Sequence, residues 1–334
     1  MAPKALICGI SGQDGAYLSK FLLDKGYEVI GTSRDSATAN RTGLKQLGVD
    51  GSVKVLSMAP NDFRSVLQII TRVAPNEIYN LAGQTSVGLS FDQPAEAIES
   101  IAIGVLNLLE AIRYTKLPVR LYNAGSSECF GDTGSHPASE DTPFSPRSPY
   151  AVAKTCAHNL VTNYRMAYSM WACTGILFNH ESPLRPERFV TQKIITAASR
   201  IGAGYRERLS LGNLDIHRDW GWAPDFVEAM WLMLQQNQPA DYVIATGRTV
   251  SLEYFVARSF EEFGLNWKEH VDTDPSLLRP SDISRGAAVT TRTTQQLGWT
   301  ARHDVNDVIR LMAETAAAKT MLAKQRETRD GTWI

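Results

Sequence analysis

Cysteine is scarce in this chain: Cys8, Cys129, Cys156 and Cys173 are all there is in 334 residues, too few and too scattered for a disulfide scaffold. They show neither C-x-x-C nor Cys/His ligand spacing, so no metal site is expected. An excess of charge of one sign is also missing, since 34 Lys and Arg meet 35 Asp and Glu for a net of −1. A chain so balanced carries no electrostatic footprint for nucleic acid or an anionic membrane surface. No apolar run reaches the roughly 20 residues of a membrane-spanning helix, and no basic, apolar secretion signal stands before the first strand-like segment. Repeats, linkers and low-complexity tracts are lacking too. The expectation is a cytoplasmic protein with core thiols, long enough for one large domain or two.

What is present is regular alternation. Lys4–Ile10 is a short apolar run of the kind that forms a strand buried on both faces. Gly9, Gly12 and Gly15 follow as G-x-x-G-x-x-G, and Tyr17–Leu23 then repeats apolar residues at helical spacing. Strand, glycine turn and helix together are the context of a dinucleotide fingerprint. The glycines let the backbone turn tightly and approach a pyrophosphate, which the N–H groups at the helix start receive. Further strands are expected at Tyr27–Thr32, Val53–Met58, Glu77–Ala82, Leu121–Gly125 and Trp171–Phe178, with helices over Phe63–Val73, Ala95–Tyr114 and from Tyr150 onward. This is the pattern of an α/β fold with a doubly wound parallel sheet of the Rossmann type.

Beyond Asn179 prolines interrupt the pattern, and Arg185, Arg188, Lys193, Arg206, Arg208, Arg218 and Arg279 collect in loop-like stretches. Such cations suit an anionic ligand such as a nucleotide diphosphate. Residues 1–178 read as the dinucleotide-binding domain, rejoined at about 219–248 with an edge strand near Asp241–Thr246. Residues 179–218 and 249–334 read as a smaller C-terminal α/β substrate-binding region.

Two local patterns carry chemistry. Arg34 and Asp35 follow the second strand, where an Arg accommodates the 2′-phosphate of NADP and an acid holds the 2′-hydroxyl of NAD. With both side by side the reading leans to NADP, and Asp35 leaves NAD open. Tyr150 and Lys154, just after Pro149, stand at i and i+4 and so share one helix face. An ammonium beside a phenol lowers its pKa from about 10 and makes it a usable base. Ser126, Ser127 and Glu128 fall at the C-terminal end of the strand Leu121–Gly125, where ligand sites of open parallel sheets lie.

These residues resemble the extended short-chain dehydrogenase/reductases and, more narrowly, the GDP-mannose 4,6-dehydratases. The glycine turn and Y-x-x-x-K belong to the whole superfamily. N-H-E-S-P at Asn179–Pro183, L-G-N-L-D-I-H-R-D-W-G at Leu211–Gly221 and V-E-A-M-W-L-M-L-Q at Val227–Gln235 belong to the narrower branch, and R-P-S-D at Arg279–Asp282 and Q-L-G-W at Gln296–Trp299 match its C-terminal region at the usual spacing. The resemblance implies dehydration of a GDP-hexose, GDP-mannose first, with a GDP-heptose dehydratase and a GDP-sugar epimerase or 4-keto reductase as alternatives. It implies that Tyr150 takes the proton of the sugar 4-hydroxyl, Lys154 holds the nicotinamide ribose, Ser126 bonds O4, and Glu128 removes the C5 proton and protonates the departing 6-hydroxyl.

By the same resemblance Gly9, Gly12, Gln13, Asp14 and Gly15, then Arg34, Leu81, Ala82 and Gln84, then His180 and Arg185 fall on cofactor positions. Ser86, Asn179, Val190, Lys193, Gly212, Asn213, Arg218, Arg279 and Asp282 fall on or near nucleotide-sugar positions. Relatives of this branch form a homodimer through two long helices, here Ala95–Tyr114 and Tyr150–Met170, or a homotetramer. The chain departs from the family pattern at Asp35, which replaces a second Arg, and at Asp282, which replaces a Glu on the guanosine. It departs again at Leu184 and Pro186, in place of Arg and Gly, and in Met58–Asp62, which lacks the acid that contacts adenine.

Overall fold

The apolar segments of the first half form β1 (Lys4–Cys8), β2 (Glu28–Ser33), β3 (Lys54–Ser57), β4 (Glu77–Asn80), β5 (Arg120–Ala124) and β6 (Ala172–Leu177) of a computed structural model that describes residues 2–329. Between them run α1 (Gln13–Asp24), α2 (Thr42–Gln46), α3 (Phe63–Val73), α4 (Val87–Asp92), α5 (Pro94–Ala97), α6 (Gly104–Thr115) and α7 (Pro149–Tyr168). The second half adds β7 (Asn179–Glu181), α8 (Val190–Gly202), β8 (Leu209–Leu211), β9 (His217–Trp222), α9 (Ala223–Gln235) and β10 (Tyr242–Ile244). It ends with β11 (Thr249–Ser251), α10 (Leu252–Glu261), β12 (Val271–Thr273) and α11 (Val305–Arg329).

Seven strands stack in the order β10-β6-β5-β4-β1-β2-β3, every pair parallel. β4 and β6 are buried along their whole length, as strands covered on both faces must be. One face packs Leu18 and Leu22 of α1 with Phe226 and Met230 of α9, and the other packs Ile70, Leu108 and Val161 of α3, α6 and α7. Strand order reverses between β1 and β4, which opens a crevice at the C-terminal ends of the strands. The smaller region carries a three-stranded sheet, β11-β9-β7, and a pair, β12-β8. Its own core joins Ile194 of α8, Trp220 of β9, Phe255 and Phe260 of α10 and Met312 of α11. Among the described residues no helix is long and apolar enough to cross a membrane.

Three expectations need correction. β1 stops at Cys8 because Gly9 takes φ +86°, and a Cβ there would lie 2.9 Å from the carbonyl carbon of Leu81. The helix expected over Ala95–Tyr114 is helical throughout, but Ile98–Ile103 is a π-helical stretch between α5 and α6. The return to the central sheet begins at Ala223 rather than near 219. β9, which carries Arg218 and Asp219, pairs with β7 and β11 in the smaller sheet instead. The return consists of α9, packed on α1, and β10, which supplies the expected edge strand on β6.

Candidate active site

The helix that carries Tyr150 and Lys154 is started by its own sequence. Ser148 accepts a hydrogen bond from the Ala151 N–H at 3.1 Å and Pro149 occupies the first turn. Lys154 Nζ then lies 5.8 Å from the centroid of the Tyr150 ring and donates to the carbonyl of Ala124, at the end of β5, at 2.7 Å. Ser126 leaves β5 in extended backbone and caps the short 3-10 turn Ser127–Phe130, accepting from the Glu128 N–H at 3.3 Å. Its hydroxyl also favours the ionised form of the Tyr150 phenol. The four side chains meet in one cleft of about 470 Å³ between the sheet and the smaller region.

Burial sets the protonation of this group. It pushes the Tyr150 phenol above its ordinary value, against the hydrogen bond from Ser126. It also brings the Lys154 ammonium down to about 8. The i, i+4 spacing therefore gives the proximity that the sequence predicts but not the lowered phenol, because desolvation wins and Lys154 turns to Ala124. Glu128 is raised by burial, while Arg218 and Arg279 pull it back and Asp282 adds to the rise. A carboxyl that holds its proton more tightly is suited to serve in turn as base and acid.

On the cofactor side, α1 begins at Gly12 without a side-chain cap, which leaves its first N–H groups open to an anion. Ser11 Oγ is buried beside this turn and has no hydrogen-bond partner. A Cβ at Gly15 would lie 2.6 Å from the Gly9 carbonyl oxygen. These features fit the pyrophosphate of a dinucleotide. Asp14 pairs with His180 at 2.9 Å, and Gln13 donates to the His180 carbonyl at 3.1 Å. Arg34, 83% exposed, stands 3.5 Å from Glu96. Asp35 turns into its own loop, accepting from the Ala37 N–H and from Thr38 Oγ1, both at 2.9 Å. Leu81 lines the cleft. Ala82 packs behind it in the α3–α6–α7 core, and Gln84 donates to the Ser86 carbonyl at 2.8 Å.

The opposite wall comes from the smaller region. Arg218 Nη1 donates to the carbonyl of Ile283 at 2.8 Å, and its Nη2 lies 3.3 Å from Asp282 Oδ1. Arg279 reaches the same oxygen at 3.5 Å. Lys193, one turn into α8, donates to the Ser210 carbonyl at 2.7 Å. Asn179 and Val190, then Gly212 and Asn213, complete this wall, with Ser86 facing it from the sheet side. Arg185 lies 3.1 Å from Glu181 and 3.7 Å above the Phe189 ring. Gly9, Gly12, Gln13, Gly15, Arg34, Ala82 and Gln84 stand outside the lining, on the turn and sheet edge next to it.

The family profile described as GDP-mannose 4,6 dehydratase matches residues 6–312. The chain belongs to the GDP-mannose 4,6-dehydratase family. It is similar to GDP-mannose 4,6 dehydratase 1 of Arabidopsis thaliana, 44% identical over 320 residues that cover 93% of this chain and 88% of the relative. It is similar also to the human GDP-mannose 4,6 dehydratase, 41% identical over 333 residues, 92% of this chain and 90% of that one. Among solved structures, a UDP-glucose 4-epimerase of Thermus thermophilus in complex with NAD superposes with a TM-score of 0.82 at 24% identity, covering 94% of this chain and 98% of that one. That likeness establishes the fold.

Within this GDP-mannose 4,6-dehydratase family member, several residues of the cleft went unassigned from the sequence. Glu181 stands inside the N-H-E-S-P segment, yet only the structure shows it buried, accepting from Thr191 Oγ1 at 2.8 Å. Phe189, Leu277 and Leu278 line the mouth, the two leucines 47% and 56% exposed. Two large exposed apolar side chains just before R-P were the available signal. Arg188 was visible only as one of several loop cations.

Proposed function

We propose that the protein is a 4,6-dehydratase that converts GDP-mannose to its 4-keto-6-deoxy product with NADP as resident cofactor. The observation that carries this reading is Glu128, raised by burial and set in one cleft with Ser126, Tyr150 and Lys154. Loss of water across C5–C6 needs such a carboxyl, and a simple epimerase or 4-keto reductase has no use for it. The nicotinamide supplies, when bound, the hydride acceptor at C4 and donor at C6, so that the reaction is redox neutral. Tyr150, once ionised, takes the proton of the 4-hydroxyl, and Ser126, which favours the phenolate against the effect of burial, orients O4 against it. Glu128 removes the C5 proton, acidified by the new ketone, and protonates the 6-hydroxyl as it leaves as water; as C6 takes hydride, C5 takes back a proton, the one Tyr150 drew from the 4-hydroxyl, which balances the cycle.

Lys193, Arg218 and Arg279 would bind the diphosphate and Asp282 the guanosine, with Ser86, Asn179, Val190, Gly212 and Asn213 shaping the sugar and nucleoside pocket. The glycine turn with Gln13, Asp14, Leu81, Ala82, Gln84, His180 and Arg185 would hold the dinucleotide, and Lys154 its nicotinamide ribose. The exposed guanidinium of Arg34, together with an Asp35 already engaged by its own loop, supports NADP over NAD. We divide the chain into a cofactor-binding part, residues 1–178 with 223–244, and a nucleotide-sugar part made of the rest. Tyr114, Met166 and Tyr168, 72%, 78% and 50% exposed on α6 and α7, support association of two or four copies through these helices. Four unpaired thiols are in keeping with the cytoplasm.

The test is incubation of the purified protein with GDP-mannose and catalytic NADP, followed by mass spectrometry of the nucleotide sugar. A product lighter by about 18 Da, one water, and a Glu128→Gln variant at least ~100-fold slower are expected. Turnover unaffected by Glu128→Gln would favour an epimerase or reductase. GDP-mannose bound but not converted would direct the same assay to other GDP-hexoses and GDP-heptoses.

A further inference from the structure

We infer that Gln13, Asp14, His180 and Ser182 are positioning residues that tie the phosphate turn of the cofactor site to the nucleotide-sugar loop, so that each ligand raises the affinity for the other. The inference rests on the two-ligand reading of the preceding section. Gln13 and Asp14 are the first two residues of α1, at the helix end that faces a pyrophosphate. β7 passes beside this end from 167 positions away in sequence, and three bonds join the two, with a fourth inside the turn itself. Gln13 Nε2 donates to the His180 carbonyl at 3.1 Å, Ser182 Oγ donates to Gln13 Oε1 at 2.7 Å, Asp14 pairs with His180 Nε2 at 2.9 Å, and Gln13 Nε2 reaches Asp14 Oδ1 at 3.1 Å.

The bonds continue into the opposite wall. Ser182 Oγ accepts from the Leu184 N–H at 3.1 Å, and the Ser182 carbonyl accepts from the Arg185 N–H at 3.0 Å, which closes the loop that carries Arg185. Glu181, the residue between His180 and Ser182, accepts from Thr191 in the first turn of α8, next to Val190 and Lys193 of the cleft. Ser182 is wholly buried and Gln13 8% exposed, so removing the Ser182 hydroxyl takes from the Gln13 side-chain oxygen the donor that it accepts from. The charges agree with the same role. A lone carboxylate at Asp14 would oppose an incoming phosphate, and His180 offsets it, with Glu181 and Arg185 facing the pair from β7 and its loop. Burial opposes both charges, yet the pair holds Asp14 below and His180 above their ordinary values.

A ligand that orders one end of such a network lowers the ordering left for the second, and the coupling is reciprocal. It suits a reaction that restores its cofactor at every turnover, since the dinucleotide is held most firmly while substrate is bound. The experiment is calorimetric titration of GDP with and without saturating NADP, and of NADP with and without GDP, on the wild-type protein, Ser182→Ala and Ser182→Thr. Wild type is expected to bind either ligand roughly five- to tenfold more tightly in the presence of the other, the range one buried hydrogen bond spans. Ser182→Ala should bring that factor close to one, and Ser182→Thr, which keeps the hydroxyl, should restore it. Should Ser182→Ala not fold, Gln13→Ala removes the same bond from the other side. A purely structural role would weaken both affinities and leave the factor intact, which overturns the inference, as does wild type that binds both ligands independently. Wild type that binds neither GDP nor NADP overturns the functional reading and this inference with it.

Discussion

Asp219 sits on β9 directly after Arg218, wholly buried, and its carboxylate anchors the corner that links β10 to β11. It accepts from the Thr246 N–H at 3.0 Å, Thr246 Oγ1 at 2.8 Å and the Gly247 N–H at 2.7 Å. These donors are neutral, and burial outweighs them, raising the pKa from 3.8 to about 6. Because the folded value exceeds the unfolded one, the native state holds the proton more tightly. This contribution to stability is fully present below pH 3.8 and is lost as pH rises through about 6. The shift corresponds to about 3 kcal/mol, of which about 2 kcal/mol falls between roughly pH 4.5 and 7. Asp219→Asn removes the titration and adds a flat offset of about 1–3 kcal/mol, since its amide group faces the Gly247 N–H. Urea unfolding of both proteins across that range should therefore show the wild-type-minus-variant stability falling by about 2 kcal/mol as pH rises. A difference that stays constant with pH would refute the burial argument for this carboxylate.

Two further outcomes follow from the site. Lys154, lowered to about 8 by burial, carries its charge below that pH and loses it above, so kcat/KM should fall on the alkaline side of about pH 8; a profile flat well beyond it would mean that the ammonium is not used. Arg34→Ala should weaken NADP roughly tenfold in a fluorescence titration while NAD changes little, because only one of the two carries the charge that Arg34 meets; equal loss for both would place the 2′-phosphate elsewhere.

Much of the cofactor half was legible because its signals are local. Apolar runs of four to seven residues mark strands covered on both faces, and the spacing of Tyr150 and Lys154 fixes their common helix face. The smaller region was harder to read. β7, β8, β11 and β12 are three residues each, too short to show any alternation, and their pairings are between distant segments. The partner of β9 could not be read from a sequence in which Arg218 and Asp219 could serve a solvated edge as well as a buried corner. Orientation was equally hidden: nothing in Y-x-x-x-K says that Lys154 reaches Ala124. The Asp14–His180 pair joins two segments whose only common signal is that both stand in quoted motifs. Strand Lys4–Ile10 was drawn too long because an apolar Ile10 outweighed the conformational meaning of Gly9.

The structural likeness to an epimerase at 24% identity shows the fold, and the position of α7 at the end of the sheet belongs to that fold. Glu128 does not follow from it. Its placement depends on Ser126 capping a 3-10 turn at the end of β5, and its proton affinity depends on Arg218 and Arg279, which come from β9 and from the segment after β12. Burial raises the carboxyl and those guanidinium groups oppose the rise. An anion that draws the positive charge of Arg218 and Arg279 to itself weakens that opposition, so an anionic ligand bound beside them raises the proton affinity of Glu128. On the function proposed above, recognition and proton transfer would be linked through these two arginines, which the smaller region brings over the sheet.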